Sequence, residues 1–179
     1  MNQQSADLIL RKRAAALAQE FNKETNVESV HVVEFMLSNE RYGIDARSVR
    51  EVHVFKELTP LPGAPDFILG IINVRGQVIS VTDLKSILSL PEVEPTEHSK
   101  VIILANSQME FGILADAVLG ARSLPTSDIQ PLPAIGSSKQ NYFVGVSNEP
   151  TMILNANELL NDPALLVQQE NEQEEGIRA

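Results

Sequence analysis

The strongest constraint on the fold is that the chain repeats itself. Residues 32–49, VVEFMLSNERYGIDARSV, align without a gap on residues 101–118, VIILANSQMEFGILADAV, at an offset of 69. Tyr42-Gly43-Ile44 falls on Phe111-Gly112-Ile113, Ala46 on Ala115 and Val49 on Val118. Farther along, Pro60-Leu61-Pro62 returns as Pro131-Leu132-Pro133, and Phe67-Ile68-Leu69-Gly70-Ile71 as Tyr142-Phe143-Val144-Gly145-Val146. The order of features is the same in both halves, and only loop lengths shift the offset. Self-similarity of this kind marks a repeated structural unit, here two units of about 65–75 residues each. Units that small bury only about 60% of their unfolded surface and are marginal alone. The two should therefore pack on each other and share a core.

The local pattern inside each unit is β. Val30–Leu37 is rich in β-branched residues and reads as a strand; the polar Ser38-Asn39-Glu40-Arg41 should turn, and Tyr42-Gly43-Ile44 resumes an extended segment. Short strands recur to residue 155, broken by Pro60, Pro62, Pro65, Gly70, Gly76, Pro91 and Pro95. Short strands with frequent turn signals point to small barrels or sandwiches. Helical signals are confined to the margins. Leu10, Ala14, Leu17 and Phe21 make one apolar stripe on a helix over residues 6–22, with Ser5 as cap and Asp7 in its first turn. Asp83 caps one or two helical turns that run to Leu90; a further helix spans Asn157–Val167, interrupted at Pro163. The Gln/Glu-rich tail, 168–179, is expected to be disordered.

Composition removes several functional classes. A net charge of −10 with no extended basic run beyond Arg11-Lys12-Arg13 speaks against a nucleic-acid binder, which needs a basic face to neutralise phosphates. The absence of cysteine excludes disulfides, thiol catalysis and Cys-based metal sites. His31, His53 and His98 are scattered without metal-ligand spacing, and no phosphate-loop, dinucleotide or nucleophile-elbow motif is present. No cofactor is expected. No apolar run approaches a membrane span, and the N-terminus lacks the basic-then-apolar order of a signal peptide, so a soluble cytoplasmic protein is expected. An interaction module ranks above an enzyme. A small-ligand-binding pair of barrels would need a cavity with convergent polar groups, whereas the strands offer apolar residues.

The repeat separates what the fold needs from what it leaves free. Residues that both halves carry answer to backbone geometry: Gly43 with Gly112, and Gly70 with Gly145. The turn that follows differs. The first half has Asn73-Val74-Arg75-Gly76-Gln77 where the second has Ser147-Asn148-Glu149-Pro150-Thr151. Arg50-Glu51 likewise faces Leu119-Gly120. The fold does not need Arg75 or Glu51 at these places. Polar residues also vary freely at exposed turns, so from the repeat alone both a specific role and a merely solvated turn remain open for Arg75.

Several residues carry a family resemblance: Phe35-x-Leu37 with Tyr42-Gly43-Ile44-Asp45, Val49-x-Glu51-Val52, Pro65-x-Phe67-Ile68-x-Gly70, Asn73-x-Arg75-Gly76 and Asp83-Leu84. The second half adds Gly112-Ile113, Asp116-x-Val118, Gly145 and Ile153-Leu154-Asn155 before Leu159-Leu160. Over roughly residues 28–162 the chain resembles the CheW family of chemotaxis coupling proteins. The resemblance implies an all-β fold of two intertwined five-stranded SH3-like β-barrels sharing a core, with an N-terminal helix and a short C-terminal helix. It divides the chain into an N-terminal helical extension (1–27), a CheW-like domain (28–167) and a disordered acidic tail (168–179). The first barrel would cover about 28–90 and the second about 98–160, with strands exchanged.

It further implies a non-catalytic adaptor. Its partners would be the regulatory domain of a CheA-type histidine kinase and the tip of a methyl-accepting chemoreceptor, with no nucleic acid and no direct insertion into the membrane. By resemblance Arg75 and Asn73 lie near a receptor groove, with Gly76 beside them, and Gly70 lies near the kinase contact. Val49, Glu51 and Val52 form a strand used at interfaces, and Val101 is carried over as a further binding residue on a short apolar strand. The N-terminal extension, which many short members lack, leaves the partner set open: related adaptors serve twitching motility or other arrays.

Overall fold

Alternation of apolar and polar residues builds the opening hairpin. Phe35 and Leu37 of β1 (Ser29–Leu37) and Tyr42 and Ile44 of β2 (Glu40–Asp45) all point into the core. The turn is shorter than the polar run suggests. Ser38 takes a left-handed φ of +54°, so Asn39 completes the reversal and Glu40 is already paired with Leu37. The computed structural model describes residues 28–134 and 137–165. The expected helix over 6–22, the extension 1–27 and the tail 168–179 lie outside the described residues.

A short 3-10 turn leads to β3 (Val49–Val54), followed by the hairpin β4 (Ile68–Val74) and β5 (Gln77–Thr82) and by helix α1 (Leu84–Leu88). The second repeat runs through β6 (Lys100–Ala105), β7 (Glu110–Ala115), β8 (Ala117–Pro125), β9 (Ile129–Gln130), β10 (Phe143–Ser147) and β11 (Met152–Leu154) to helix α2 (Ala156–Asn161). Both helices start where a side chain can replace a missing intrahelical acceptor: Asp83 accepts from the Lys85 amide and Asn155 from that of Glu158. α2 ends before Pro163, as a proline requires.

The strands form two sheets, in the orders β8-β1-β2-β11-β10-β9 and β3-β6-β7-β5-β4. Each repeat gives its opening hairpin to the other. β1–β2 sits between β8 and β11, and β6–β7 sits between β3 and β5. The inserted hairpin meets its host in parallel in both cases, Gly43 opposite Ile153 and Gly112 opposite Val81. The expectation of two closed five-stranded barrels is corrected: these are two sheets, of six and five strands, with no ladder closing either. The sixth strand, β9, pairs with β10; its counterpart in the other sheet is reduced to a single bridge between Thr59 and Ile71. At both places the chain crosses close over a glycine. A Cβ on Gly70, whose φ is +146°, would lie 2.5 Å from the Thr59 carbonyl oxygen, and one on Gly145 would collide with that of Gln130.

The exchange produces one core made by both repeats. Phe35, Tyr42, Ile44 and Leu84 pack in one buried cluster with Ile102, Phe111, Ile113, Leu154 and Leu159. Each such side chain contributes about 1.5–3 kcal/mol when fully buried, and separating the halves would return these surfaces to water. A polar tie crosses the same boundary. Lys85, buried at 2% exposure, places Nζ 2.7 Å from Asp116 Oδ1, while Asp116 Oδ2 accepts from the Ser38 amide at 2.6 Å. Among the described residues, no helix is long and apolar enough to cross a membrane.

Candidate functional site

The turn between β4 and β5 is built against steric preference. Val74 and Gln77 close the ladder, leaving two central residues, and both take positive φ: Arg75 at +51° and Gly76 at +88°. Two positive φ values are the signature of the tight hairpin turn that matches strand twist. Glycine enters that region freely; an arginine does so at a cost, because its Cβ crowds the following carbonyl. Asn73 supports the turn by accepting from the Gly76 amide at 2.8 Å. Nothing in the fold requires arginine at a position that asparagine or glycine would occupy with less strain. Backbone strain of this kind concentrates at functional sites.

The guanidinium of Arg75 is 80% exposed and reaches one protein partner, Glu51, whose Oε2 lies 3.0 Å from Nη2. β3 and β4 are opposite edges of the five-stranded order, so this contact shows that the sheet curls until its edges face each other. Glu51 is the centre of a cluster. Its Oε1 accepts from Arg50 Nε at 3.2 Å and Nη2 at 2.9 Å, and its Oε2 lies 3.1 Å from His53 Nε2. Arg50 in turn donates to Gln77 Oε1 at 3.0 Å and is paired with Glu110. The hydrogen bonds from Arg50, then those of His53 and the charge of Arg75, hold the Glu51 carboxyl below the ordinary carboxylate range, against its partial desolvation.

Below the cluster, between the facing edges, lies an open groove of about 340 Å³ lined by His53, Val54, Lys56, Glu57, Thr59, Ile71, Ile72, Asn73 and Val74, a mixture of apolar and polar side chains. Val54 exposes 59% of its surface there, and Val52 on β3 and Val78 on β5 expose 42% and 60%. Among the described residues, no group of three or more histidine or acidic side chains is gathered to hold a metal.

The structure therefore brings Arg75, Asn73, Gly76 and Glu51 to one place, with Val52 exposed on the same strand and Val49 half-buried at its start. It puts the other two expected residues inside. Gly70 is buried beneath the Thr59 crossing, and Val101 is 1% exposed in the core of the five-stranded sheet, across the ladder from His53. Gly70 lets the Thr59 backbone pass closely and Val101 fills the core beneath the strands that carry the site. Sequence reasoning missed Arg50, His53, Glu110 and Gln77 as members of the cluster. A signal for His53 was present: the offset of 69 places it on Arg122.

That correspondence exposes an inversion. In the second repeat Arg122 of β8 pairs with Glu149 in the turn between β10 and β11, and also faces Glu34 at 3.7 Å. The first repeat has a cation at the turn and an anion on the strand. The second has the anion at the turn and the cation on the strand. Each repeat thus carries a strand-to-turn ion pair with the charges exchanged, although the turns differ in length and the strand partners are not equivalent positions, Glu51 falling on Gly120 and Arg122 on His53.

Comparison with known proteins agrees with this architecture. The CheW-like domain family model matches residues 31–164. Protein FrzA of Myxococcus xanthus is 34% identical over 131 residues, covering 70% of this chain and 82% of its own. The chemotaxis protein CheW of Klebsiella aerogenes is 36% identical over 123 residues, covering 67% and 74%. The crystal structure of scaffolding protein TtCheW from Thermoanaerobacter tengcongensis superposes with a TM-score of 0.68 at 28% identity, covering 76% of this chain and 95% of that one.

Proposed function

The chain belongs to the CheW-like domain family, and from that premise we propose that it is a non-catalytic chemosensory adaptor. It couples the cytoplasmic tips of chemoreceptors to the regulatory domain of a CheA-type histidine kinase, working at membrane-associated arrays on the cytoplasmic side. Arg75, Asn73, Gly76, Glu51, Val52 and Val49 form the contact surface, and Gly70 and Val101 hold its strands in place. The observation that carries this reading is Arg75 itself: an exposed guanidinium on a strained turn, beside an open groove of mixed apolar and polar lining, that the equivalent turn of the second repeat does without. A planar guanidinium suits two-point recognition of a carboxylate, and the groove suits one face of a helical hairpin. The test is titration calorimetry of the full chain against a kinase regulatory domain and a receptor-tip fragment. Micromolar or tighter binding to both supports the reading; binding to neither refutes it.

A second reading keeps the same contacts and changes the output, to an array controlling twitching or another form of motility. Its support is that a relative with a different name, FrzA, matches as well as the chemotaxis proteins do. Expression of the chain in strains lacking either adaptor, scored for restored swarming or swimming, separates the two.

A further inference from the structure

Building on the adaptor reading, we propose that His53 is a positioning residue for Arg75. When protonated, it takes over the Glu51 oxygen to which Arg75 is tied and frees the guanidinium for a carboxylate of the partner, so that docking tightens as pH falls.

Three observations carry this. First, His53 Nε2 and Arg75 Nη2 share a single acceptor, Glu51 Oε2, at 3.1 and 3.0 Å. Second, Glu51 cannot follow Arg75 out of the cluster. Its other oxygen is held by two donors of Arg50, and Arg50 is itself fixed by Glu110 and Gln77. Third, the two ligands of Oε2 differ in freedom. Arg75 is 80% exposed on a turn, and His53 is 32% exposed on a strand, so the arginine is the one that can leave at little cost in desolvation.

Charge counting gives the direction. With His53 neutral, the guanidiniums of Arg50 and Arg75 balance the carboxylates of Glu51 and Glu110. A proton on His53 adds a cation to a balanced set, and Nε2, which is buried and makes no hydrogen bond otherwise, gains a charge-assisted bond to Oε2. The excess is relieved most easily by swinging the exposed guanidinium into water or onto a partner. The remaining charged neighbours do not reverse this. Lys56 and Glu57 line the groove on the far side of His53 with opposite signs, and Lys100 stands at the end of β6 opposite Val54; none is ion-paired to Glu51. Imidazoles as a class change charge between about pH 5 and 8.

The second repeat supports the geometry. Arg122, the counterpart of His53, is a permanent cation that does reach the turn residue, Glu149. The strand position is thus within range of the turn in both repeats, and the first repeat fills it with a cation that comes and goes.

The experiment follows the isotope-labelled full chain by NMR from about pH 8 to 5.5, recording the His53 ring and the Arg75 Nε–Hε signal without any partner. The Arg75 signal should move with the midpoint of His53, and His53→Gln, which keeps an N–H donor but does not titrate, should abolish that movement. Calorimetry with a receptor-tip fragment forms the second arm. Relative to His53→Gln, the unmodified chain should gain about threefold or more in affinity across the same interval, and Arg75→Ala should lose that gain. An Arg75 signal indifferent to His53, or a His53→Gln profile that still matches the unmodified chain, overturns the proposal. Absence of receptor-tip binding at every pH would sink the adaptor reading instead, with the NMR arm still deciding the link between His53 and Arg75.

Discussion

Replacing Arg75 by asparagine separates the needs of the fold from those of the partner. The position takes φ +51° in a turn whose second central residue is Gly76 at +88°. A left-handed conformation costs an ordinary L-residue roughly 1–2 kcal/mol, a penalty asparagine largely escapes because its short polar side chain can bond the local backbone. The variant loses the ion pair with Glu51, but a pair to a guanidinium that is 80% exposed contributes little and offsets only part of the gain. The net expectation is a gain of up to about 1 kcal/mol, read as a rise of about 1–4 °C in the unfolding midpoint for a chain of this size. Arg75→Ala keeps the strain and loses the pair, so its midpoint should stay level or fall slightly. Both variants should lose the charge-assisted contact to the partner, worth about 1.5–3 kcal/mol, or roughly 10- to 150-fold in affinity. Arg75→Lys should recover only part, because a point charge replaces a planar fork. Calorimetric unfolding and receptor-tip affinity are measured on the same preparations. An asparagine variant destabilised by more than about 1 kcal/mol with unchanged affinity would refute the reasoning and return Arg75 to a structural role.

Other perturbations test the framework that holds this turn. Gly70→Ala and Gly145→Ala should each cost more than about 2 kcal/mol in denaturant unfolding, since each Cβ meets the carbonyl of a crossing segment; equal stability to the parent would show that those crossings give way. Lys85→Met should cost about 3–5 kcal/mol by stranding Asp116, and Lys85→Met with Asp116→Leu should regain much of it; a double variant as weak as the single one would deny the ion pair its part. Cutting the chain near residue 95 should yield halves that do not unfold cooperatively alone, because each gives its hairpin to the other; dispersed amide spectra from either half would contradict the shared core. The chain has two tyrosines and no tryptophan, so phenolate absorbance reads both rings cleanly. Burial, then the hydrogen bond to Asp162, pushes Tyr142 up to about 12, and burial with Glu40 pushes Tyr42 higher still. The fold favours the neutral phenols, so this stabilisation is complete below the unfolded value near about 10 and is lost as pH rises through the folded values. Half the absorbance change arriving near about pH 10 in the folded protein would show that one ring is not held this way.

Much of this fold was legible because duplication makes a sequence its own reference. The offset of 69 located equivalent strands, and the paired glycines marked the two crossings. Capping chemistry placed α1 at Asp83. What the repeat does not state is partnership. Nothing in the spacing of β1 and β2 says that they pair beside β8 and β11 rather than with the strands that follow them; that choice is made by the parallel contacts of Gly43 and Gly112. Closure was misjudged for a similar reason. Strand count gives no measure of whether edges join by a ladder, and here they are joined by Arg75, Glu51 and Arg50 side chains instead. The candidate site was legible in its two unmatched residues, Arg75 and Glu51, but their contact was not, because they are far apart in the chain and meet only when the sheet curls. Val101 and Gly70 show the converse: an apolar strand residue and a glycine that sequence similarity puts beside an interface can act from inside.

The inverted ion pairs suggest how a duplicated chain gains two different ends without disturbing its core. Phe35, Tyr42, Ile44, Ile102, Phe111 and Ile113 of the exchanged hairpins pack in a cluster built from both sheets, so a change of size there is felt in both. The turns at 75–76 and 148–150 carry no such burden: their side chains are exposed, and Arg75 and Glu149 reach across to a strand at the far side of their own sheet. Exchanging the signs of a strand-to-turn pair keeps a local attraction while reversing the charge presented at the tip. One end then shows a guanidinium beside an open groove and the other shows a carboxylate. Surfaces of opposite sign favour different partners and penalise the wrong one by like-charge contact. An adaptor must hold two dissimilar proteins at once, and a pseudo-symmetric fold would by default offer the same surface twice. The exchanged charges at Arg75–Glu51 and Glu149–Arg122 break that default at exposed turns, where the cost to the fold is confined to the left-handed backbone of Arg75.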